Sequence, residues 1–135
     1  MKKFLVLFLI MFLVGCTENG AGNSDGENSV RADIVIGNRF FAQQVNEIYL
    51  NVDRYTGQTI QYEGYFLSVE WNNEIFHAVV QFGDDCCGGQ GMIGFEILLD
   101  GHEPFEDNVR VEIVGVLEQD DDGIPIVRTI NITPL

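Results

Sequence analysis

The chain has 135 residues, with 21 acidic side chains against seven lysines and arginines and a formal net charge of −14 at neutral pH. That length suits one small domain around a single core, and so acidic a surface repels phosphate backbones, which excludes nucleic acid as a partner.

At the start, Met1, Lys2 and Lys3 make a short positive region and Phe4 to Val14 is an unbroken apolar run. This is the layout of a secretory signal peptide over residues 1–15. The run is too short to span a bilayer, which needs about 20 apolar residues. Leu13-Val14-Gly15-Cys16 resembles the lipobox of bacterial lipoproteins, whose cysteine thiol receives a diacylglycerol and becomes the first residue after cleavage. The resemblance implies lipidation at Cys16, a lipid bilayer as partner, and a place at the cell membrane facing outside the cytoplasm. Anchoring of this kind rests on about 0.8 kcal/mol per buried methylene, and two acyl signals make it durable. Residues 16–29, reading CTENGAGNSDGENS, carry no large apolar side chain and are expected to form a flexible tether. Without the signal, 21 carboxylates face five arginines, a net charge of −16. Cations, cationic wall components or a basic protein face suit such a surface, with plain solubility as the alternative explanation.

Residues 30–135 are expected to form the folded domain. Asn38 is placed to cap a helix through Phe40, Phe41, Val45, Ile48 and Tyr49, ending near Asn51, with most apolar groups on one stripe. Tyr55-Thr56-Gly57-Gln58 reads as a turn. Five β-rich runs follow, each bounded by turn residues. The first, Thr59 to Trp71, is interrupted by Gly64, where a long strand bends or bulges. Asn72-Asn73 makes a hairpin turn to the second, Ile75 to Phe82, where Phe76, Ala78, Val80 and Phe82 are expected inward and His77 outward. A glycine-rich loop, Gly83 to Gly91, leads to the third, Met92 to Leu99. The fourth, Val109 to Leu117, sets Val109, Val111, Ile113 and Gly115 against Arg110, Glu112 and Val114. The acidic turn Gln119 to Gly123 joins it to the fifth, Ile124 to Ile132. Strands of this length in so small a chain need their edges covered, so the expected fold is mainly β: a small five-stranded OB-like barrel preceded by one α-helix. A β-sandwich of the same strands is the alternative.

Cys86 and Cys87, in GDDCCGGQG, are the thiols left once Cys16 carries lipid, and an exported protein meets an oxidising compartment. They can bond to each other in a strained, easily reduced ring. They can instead hold Zn(II) or Cu(I) as thiolates, with Asp84, Asp85, His77 or His102 as the neighbouring donors. As a third reading, they are small buried residues of the barrel mouth. Asp120-Asp121-Asp122-Gly123 lacks the alternating ligands and distal glutamate of a calcium loop and reads as a solvated hairpin tip.

The segments GYFLSVEW, HAVVQFGDDCCGGQG and VRVEIVGVLEQDDDGIPIVRTINI together resemble the C-terminal extracytoplasmic domain of YcgQ-like permease-associated membrane proteins, which carry a Cys-Cys pair in the equivalent loop. The similarity covers about the last 80 residues, with a looser match in FFAQQVNEIYLNVDRYTGQTI. It implies an OB-like barrel and association with a membrane permease or envelope protein, and it supplies no reaction. Two departures stand out: a lipid anchor takes the place of the family's transmembrane helices, and Gly88-Gly89-Gln90-Gly91 replaces an Ala-Asp-Ala-like stretch, so Gln90 brings no carboxylate where that family has one.

No nucleophile elbow, phosphate loop or His-Glu-x-x-His pair is present, so the chain is not expected to be an enzyme. Tyr62, Tyr65 and Trp71, with Phe66 beside them, are the candidates for an OB-type binding face, against the alternative that they are core. The expected function is an extracytoplasmic, membrane-anchored binding or accessory module beside a transporter or envelope complex. A thiol redox or metal-binding protein working through Cys86 and Cys87, and a structural envelope lipoprotein without catalysis, are the alternatives.

Overall fold

The structure, a computed structural model, describes residues 30–84 and 88–135, with the backbone alone at Asp84. The expected signal, tether and Cys16, as well as Asp85, Cys86 and Cys87, lie outside the described residues.

Strand β1 (Ile34–Ile36) is followed by a 3-10 turn over Asn38–Phe40, helix α1 (Phe41–Leu50) and a single helical turn, α2 (Val52–Tyr55). Strands β2 (Thr59–Trp71), β3 (Glu74–Asp84), β4 (Gln90–Leu98), β5 (Arg110–Gln119) and β6 (Pro125–Pro134) complete the chain. β2 pairs antiparallel with β3, β3 with β4, β5 with β6 and β2 with β5, while β4 and β6 pair in parallel. These pairings close β2-β3-β4-β6-β5 into a ring, the arrangement of an OB-like barrel, which removes the edges that strands in so small a domain would otherwise expose.

β2 reaches both neighbours by changing partner along its length. Thr59 to Tyr65 lies against Val116 to Arg110 of β5, whereas Tyr65 to Trp71 lies against Val80 to Glu74 of β3. The hinge between these halves is Gly64, where a β-carbon would stand 2.7 Å from the Val80 carbonyl oxygen and 2.9 Å from a methyl of Val79. A side chain there would push β3 off β2 where their pairing begins. Ahead of that point β1, which the sequence pattern did not reveal, pairs in parallel with Ile60 to Tyr62.

The interior is filled by alternate residues of each strand: Ile60, Tyr62 and Phe66 of β2, Val79 of β3, Phe95 and Ile97 of β4, Val111, Ile113 and Leu117 of β5, and Val127 of β6. On β5 this is the expected phase. On β3 it is the reverse of the expected one. Val79 is wholly buried, Phe82 is 43 % exposed, and His77 turns inward to stack on buried Phe66 at 5.3 Å with its Nδ1 3.1 Å from the Ser68 hydroxyl. The alternation misled because the outer face of β3, with Phe76, Ala78, Val80 and Phe82, is the more apolar one, while the inner face carries His77 and Gln81 beside Ile75 and Val79.

Helix α1 buries Phe41, Val45 and Ile48. Phe41 meets the ring of Tyr62 at 5.7 Å, and Tyr49 stacks on Phe95 at 5.6 Å and donates to the Gly94 carbonyl at 2.9 Å. Three such side chains contribute about 1.5–3 kcal/mol each through burial, so α1 is held by the barrel more than by its own propensity. The expected cap fails. Asn38 makes no capping bond; the chain passes through a 3-10 turn instead, and the Asn38 amide is directed toward β2 and β3.

The connection from β4 to β5 carries no helix. It places Phe105 edge-on to Phe66 at 5.8 Å and runs along the free side of β2, with Ser68 N donating to Asp107 Oδ1 at 2.7 Å and Asn108 N to the Phe66 carbonyl at 2.8 Å. The expected glycine-rich loop is shorter than the composition implies, because Asp84 pairs with Gln90 and Gly83 with Gly91. At the other hairpin, Asn72 and Asn73 both take positive φ, 52° and 65°, the geometry of a two-residue turn matched to strand twist. The Asp120 carboxylate accepts from the backbone N–H of Asp122 and of Ile124, so it is spent on its own turn.

Candidate binding site

Strand alternation that buries Phe66, Val79 and Phe95 must turn their neighbours outward. Tyr65, Leu67, Val69 and Trp71 of β2 therefore share an outer face with Phe76, Ala78, Val80 and Phe82 of β3 and Met92 of β4. The register sets Tyr65 opposite Val80, Leu67 opposite Ala78, Val69 opposite Phe76 and Phe82 opposite Met92. Trp71 is 67 % exposed and Met92 63 %, and the rings of Tyr65 and Phe82 touch with centroids 5.5 Å apart. Val80, at 8 %, is the buried member of this face, while Tyr65, Val69, Trp71, Phe82 and Met92 stand exposed. A continuous apolar surface across three strands, ending in exposed Trp and Met, is the composition of a recognition patch rather than of scattered surface residues.

Around it stand charged groups. Arg110 Nη2 meets Glu63 Oε2 at 2.6 Å beside Tyr65, Glu96 lies on the same face opposite Ala78, and Glu70 and Glu74 flank the Trp71 end. Partial burial, with the charge of Asp120 second, raises the Glu96 carboxyl above its ordinary range.

The expected site residues separate in space. Tyr65 and Trp71 are on the outer face, but Tyr62 is in the core, its hydroxyl donating to the Val79 carbonyl at 3.3 Å. Burial, then the neighbouring Tyr49, pushes its phenol well above the usual tyrosine range, against the lowering effect of a backbone hydrogen bond with Phe95, so it stays protonated and acts as internally bonded packing. His77 is committed to Phe66 and Ser68, and His102 lies within 3.1 Å of the Ile130 carbonyl. Neither histidine joins a metal cluster: among the described residues no group of three or more His, Cys, Asp or Glu is arranged around a common point. Asp84 sits at the base of the β3–β4 hairpin, with Asp85, Cys86 and Cys87 beyond it and outside the described residues.

Sequence reasoning missed a second feature. β3 loses β2 as a neighbour beyond Val80, and Gln81 spans the opening: its Nε2 donates to the Glu63 carbonyl at 2.9 Å and to Asn38 Oδ1 at 2.7 Å. Asn38 in turn reaches Glu63 Oε2 through a long 3.4 Å contact. A cavity of about 290 Å³ opens beside this bridge, walled by Tyr65, Phe82 and Arg110, and another of about 460 Å³ continues along the start of α1 past Arg39, Gln43 and Asn46. A further groove of about 600 Å³ lies between β1, α1 and α2, lined by Ile34, Phe40, Glu47 and Tyr55 among others.

The family model of the DUF1980 C-terminal domain matches residues 18–135. The chain belongs to the DUF1980 C-terminal domain family. Membership agrees at the level of the domain with the YcgQ-like resemblance, and it points to an accessory or membrane-associated module. Among solved structures, the N-terminal domain of PriB protein from Thermoanaerobacter tencongensis is similar, at 20 % identity over 57 % of this chain and 94 % of that one, with a TM-score of 0.34. So low a structural score leaves the fold resting on the strand pairings themselves. No curated protein matches. Among the described residues of this DUF1980 domain no helix is long and apolar enough to cross a membrane.

Proposed function

We propose that this DUF1980 domain is a lipid-anchored, extracytoplasmic binding module that recognises a membrane or envelope partner through the outer face of β2, β3 and β4. The observation that carries the reading is the exposed apolar surface running from Tyr65, Phe82 and Met92 at one end of the face to Trp71 at the other. Leaving such side chains in water forgoes roughly 25 cal/mol per Å² of burial, a cost that recognition recovers. The carboxylates on its margins favour a partner with a basic rim around an apolar centre. The anchor is supported by Leu13-Val14-Gly15-Cys16 behind the apolar run. A module of this kind acts without catalysis.

The test is photocrosslinking in cells that carry the full chain with a photoreactive residue at Met92 or, as control, at exposed Ile130. The expected result is a discrete adduct from position 92 that is absent from position 130 and lost when Tyr65→Ser is added. Equal adducts at both positions, or none at either, would defeat the reading. In parallel, radiolabelled palmitate should enter the wild-type chain and not the Cys16→Ser variant.

A further inference from the structure

We propose that the cleft between the 3-10 turn and the parting of β2 from β3 binds a neutral saccharide chain. The inference rests on the reading of this domain as a binding module, but it uses a different set of residues, with Tyr65 and Phe82 on the boundary between the two surfaces.

A pyranose ring presents two chemistries at once. Its hydroxyl edge donates and accepts hydrogen bonds, and its C–H faces are apolar. A site for it therefore combines fixed planar polar groups with an aromatic wall, in a concavity of a few hundred Å³. The cleft has these parts. Its aromatic wall is the Tyr65–Phe82 pair, with ring planes inclined at 44°. Its polar floor is the Gln81 amide, held by two hydrogen bonds of 2.7 and 2.9 Å, with the Asn38 amide beside it. The Glu63 carboxylate is fixed by Arg110 at 2.6 Å, a bond that engages one of the five donors a guanidinium offers. The adjoining cavities of about 290 and 460 Å³ share Asn38, Gln81 and Phe82, so the concavity extends past one sugar unit toward Arg39 and Asn46.

Preorganisation favours this use. Polar side chains already fixed by one another lose little rotamer freedom when a ligand arrives. The N-terminal turn contributes one wall, so the cleft is a product of the segment that precedes the barrel and not of the barrel alone. Charge narrows the class further: the net charge of −14 opposes uronate-rich or phosphate-bearing polymers, which leaves uncharged chains.

The experiment titrates the full chain, held in phosphatidylcholine nanodiscs, with chitotetraose, maltotetraose, cellotetraose and, as the charged comparison, tetragalacturonate. Nanodiscs avoid detergents with sugar headgroups. The expected result is saturable binding of at least one neutral tetrasaccharide, weakened about tenfold or more, roughly 1.4 kcal/mol, by Phe82→Ala and by Asn38→Ala at unchanged melting temperature. Failure of all three neutral sugars to saturate, a preference for tetragalacturonate, or binding indifferent to both variants would each overturn the proposal. The two readings stay separable. Loss of sugar binding with the Met92 adduct intact removes the saccharide site alone, whereas loss of the adduct removes the module reading beneath it.

Discussion

Substituting Gly64 by alanine tests the packing on which the barrel and both surfaces depend. The added methyl would sit 2.7 Å from the Val80 carbonyl oxygen, 2.9 Å from a Val79 methyl and 3.1 Å from the Val80 carbonyl carbon. Two of these atoms are backbone, so rotation of a side chain cannot relieve the clash; β3 must move away from β2 where their pairing begins at Tyr65 and Val80. Overpacking of this kind costs about 1–3 kcal/mol, while alanine recovers about 0.4–1 kcal/mol by restricting the unfolded chain. The net loss of roughly 1–2 kcal/mol corresponds to a fall in melting temperature of about 5–15 °C for a domain of this size. Gly37 provides the control, since nothing lies within 4 Å of a β-carbon there and its φ of −81° suits alanine. Thermal unfolding by circular dichroism should show Gly64→Ala melting well below wild type and Gly37→Ala at or slightly above it. Equal melting of the two variants would refute the claim that β2 bends over β3 at Gly64.

Other expectations follow from single groups. Thr129 is buried and its hydroxyl has no partner among the described residues, so Thr129→Val should stabilise by roughly 1 kcal/mol, read from the urea midpoint; a loss of stability would show that the hydroxyl is bonded. Tyr62 and Tyr49 both have phenols raised above 10, by burial first and then by Tyr49 and Glu96 respectively. The folded state thus keeps protons that the unfolded state releases, so stability should hold below pH 10 and fall above it, and Tyr62→Phe should flatten that fall at a cost of about 1 kcal/mol for the lost hydrogen bond to Val79. Glu96 is raised above 4.5 by burial and Asp120, so Glu96→Gln should melt higher than wild type at pH 7 and converge with it on acidification.

Much of the barrel is legible in the sequence because its determinants are local. Gly64 inside a β-rich run, the Asn72-Asn73 turn and the Val-Arg-Val-Glu-Ile pattern of β5 each act through the backbone or a single alternating face, and each sits where the pattern implies. What stayed hidden depends on partners distant in sequence. β1 has three residues and exists because Ile34 to Ile36 find Ile60 to Tyr62. The inner phase of β3 is set by the close packing of Gly64 and Gly94 against its backbone at Val79 and Val80, while Phe76, Ala78 and Phe82 look equally suited to either face. Tyr62 and Tyr65 belong to one run and one residue type, yet one fills the core and the other the surface, since three positions along a strand reverse the side. The Asn38–Gln81–Glu63 bridge joins residues 25 and 43 positions from Asn38, and no spacing rule could have found it.

The central claim is that the outer face of β2, β3 and β4 serves recognition and contributes little to folding. Replacing Trp71 and Met92 together by serine and measuring both the melting temperature and the yield of a crosslinked adduct from a photoreactive residue at Val69, which lies between them on the same face, tests it most directly. Both side chains are mostly in solvent already, so the melting temperature should move by no more than about 2 °C, within the roughly 0.5 kcal/mol typical of surface changes, while the adduct seen with the native pair disappears. A large drop in melting temperature, or an adduct that persists undiminished, would contradict it.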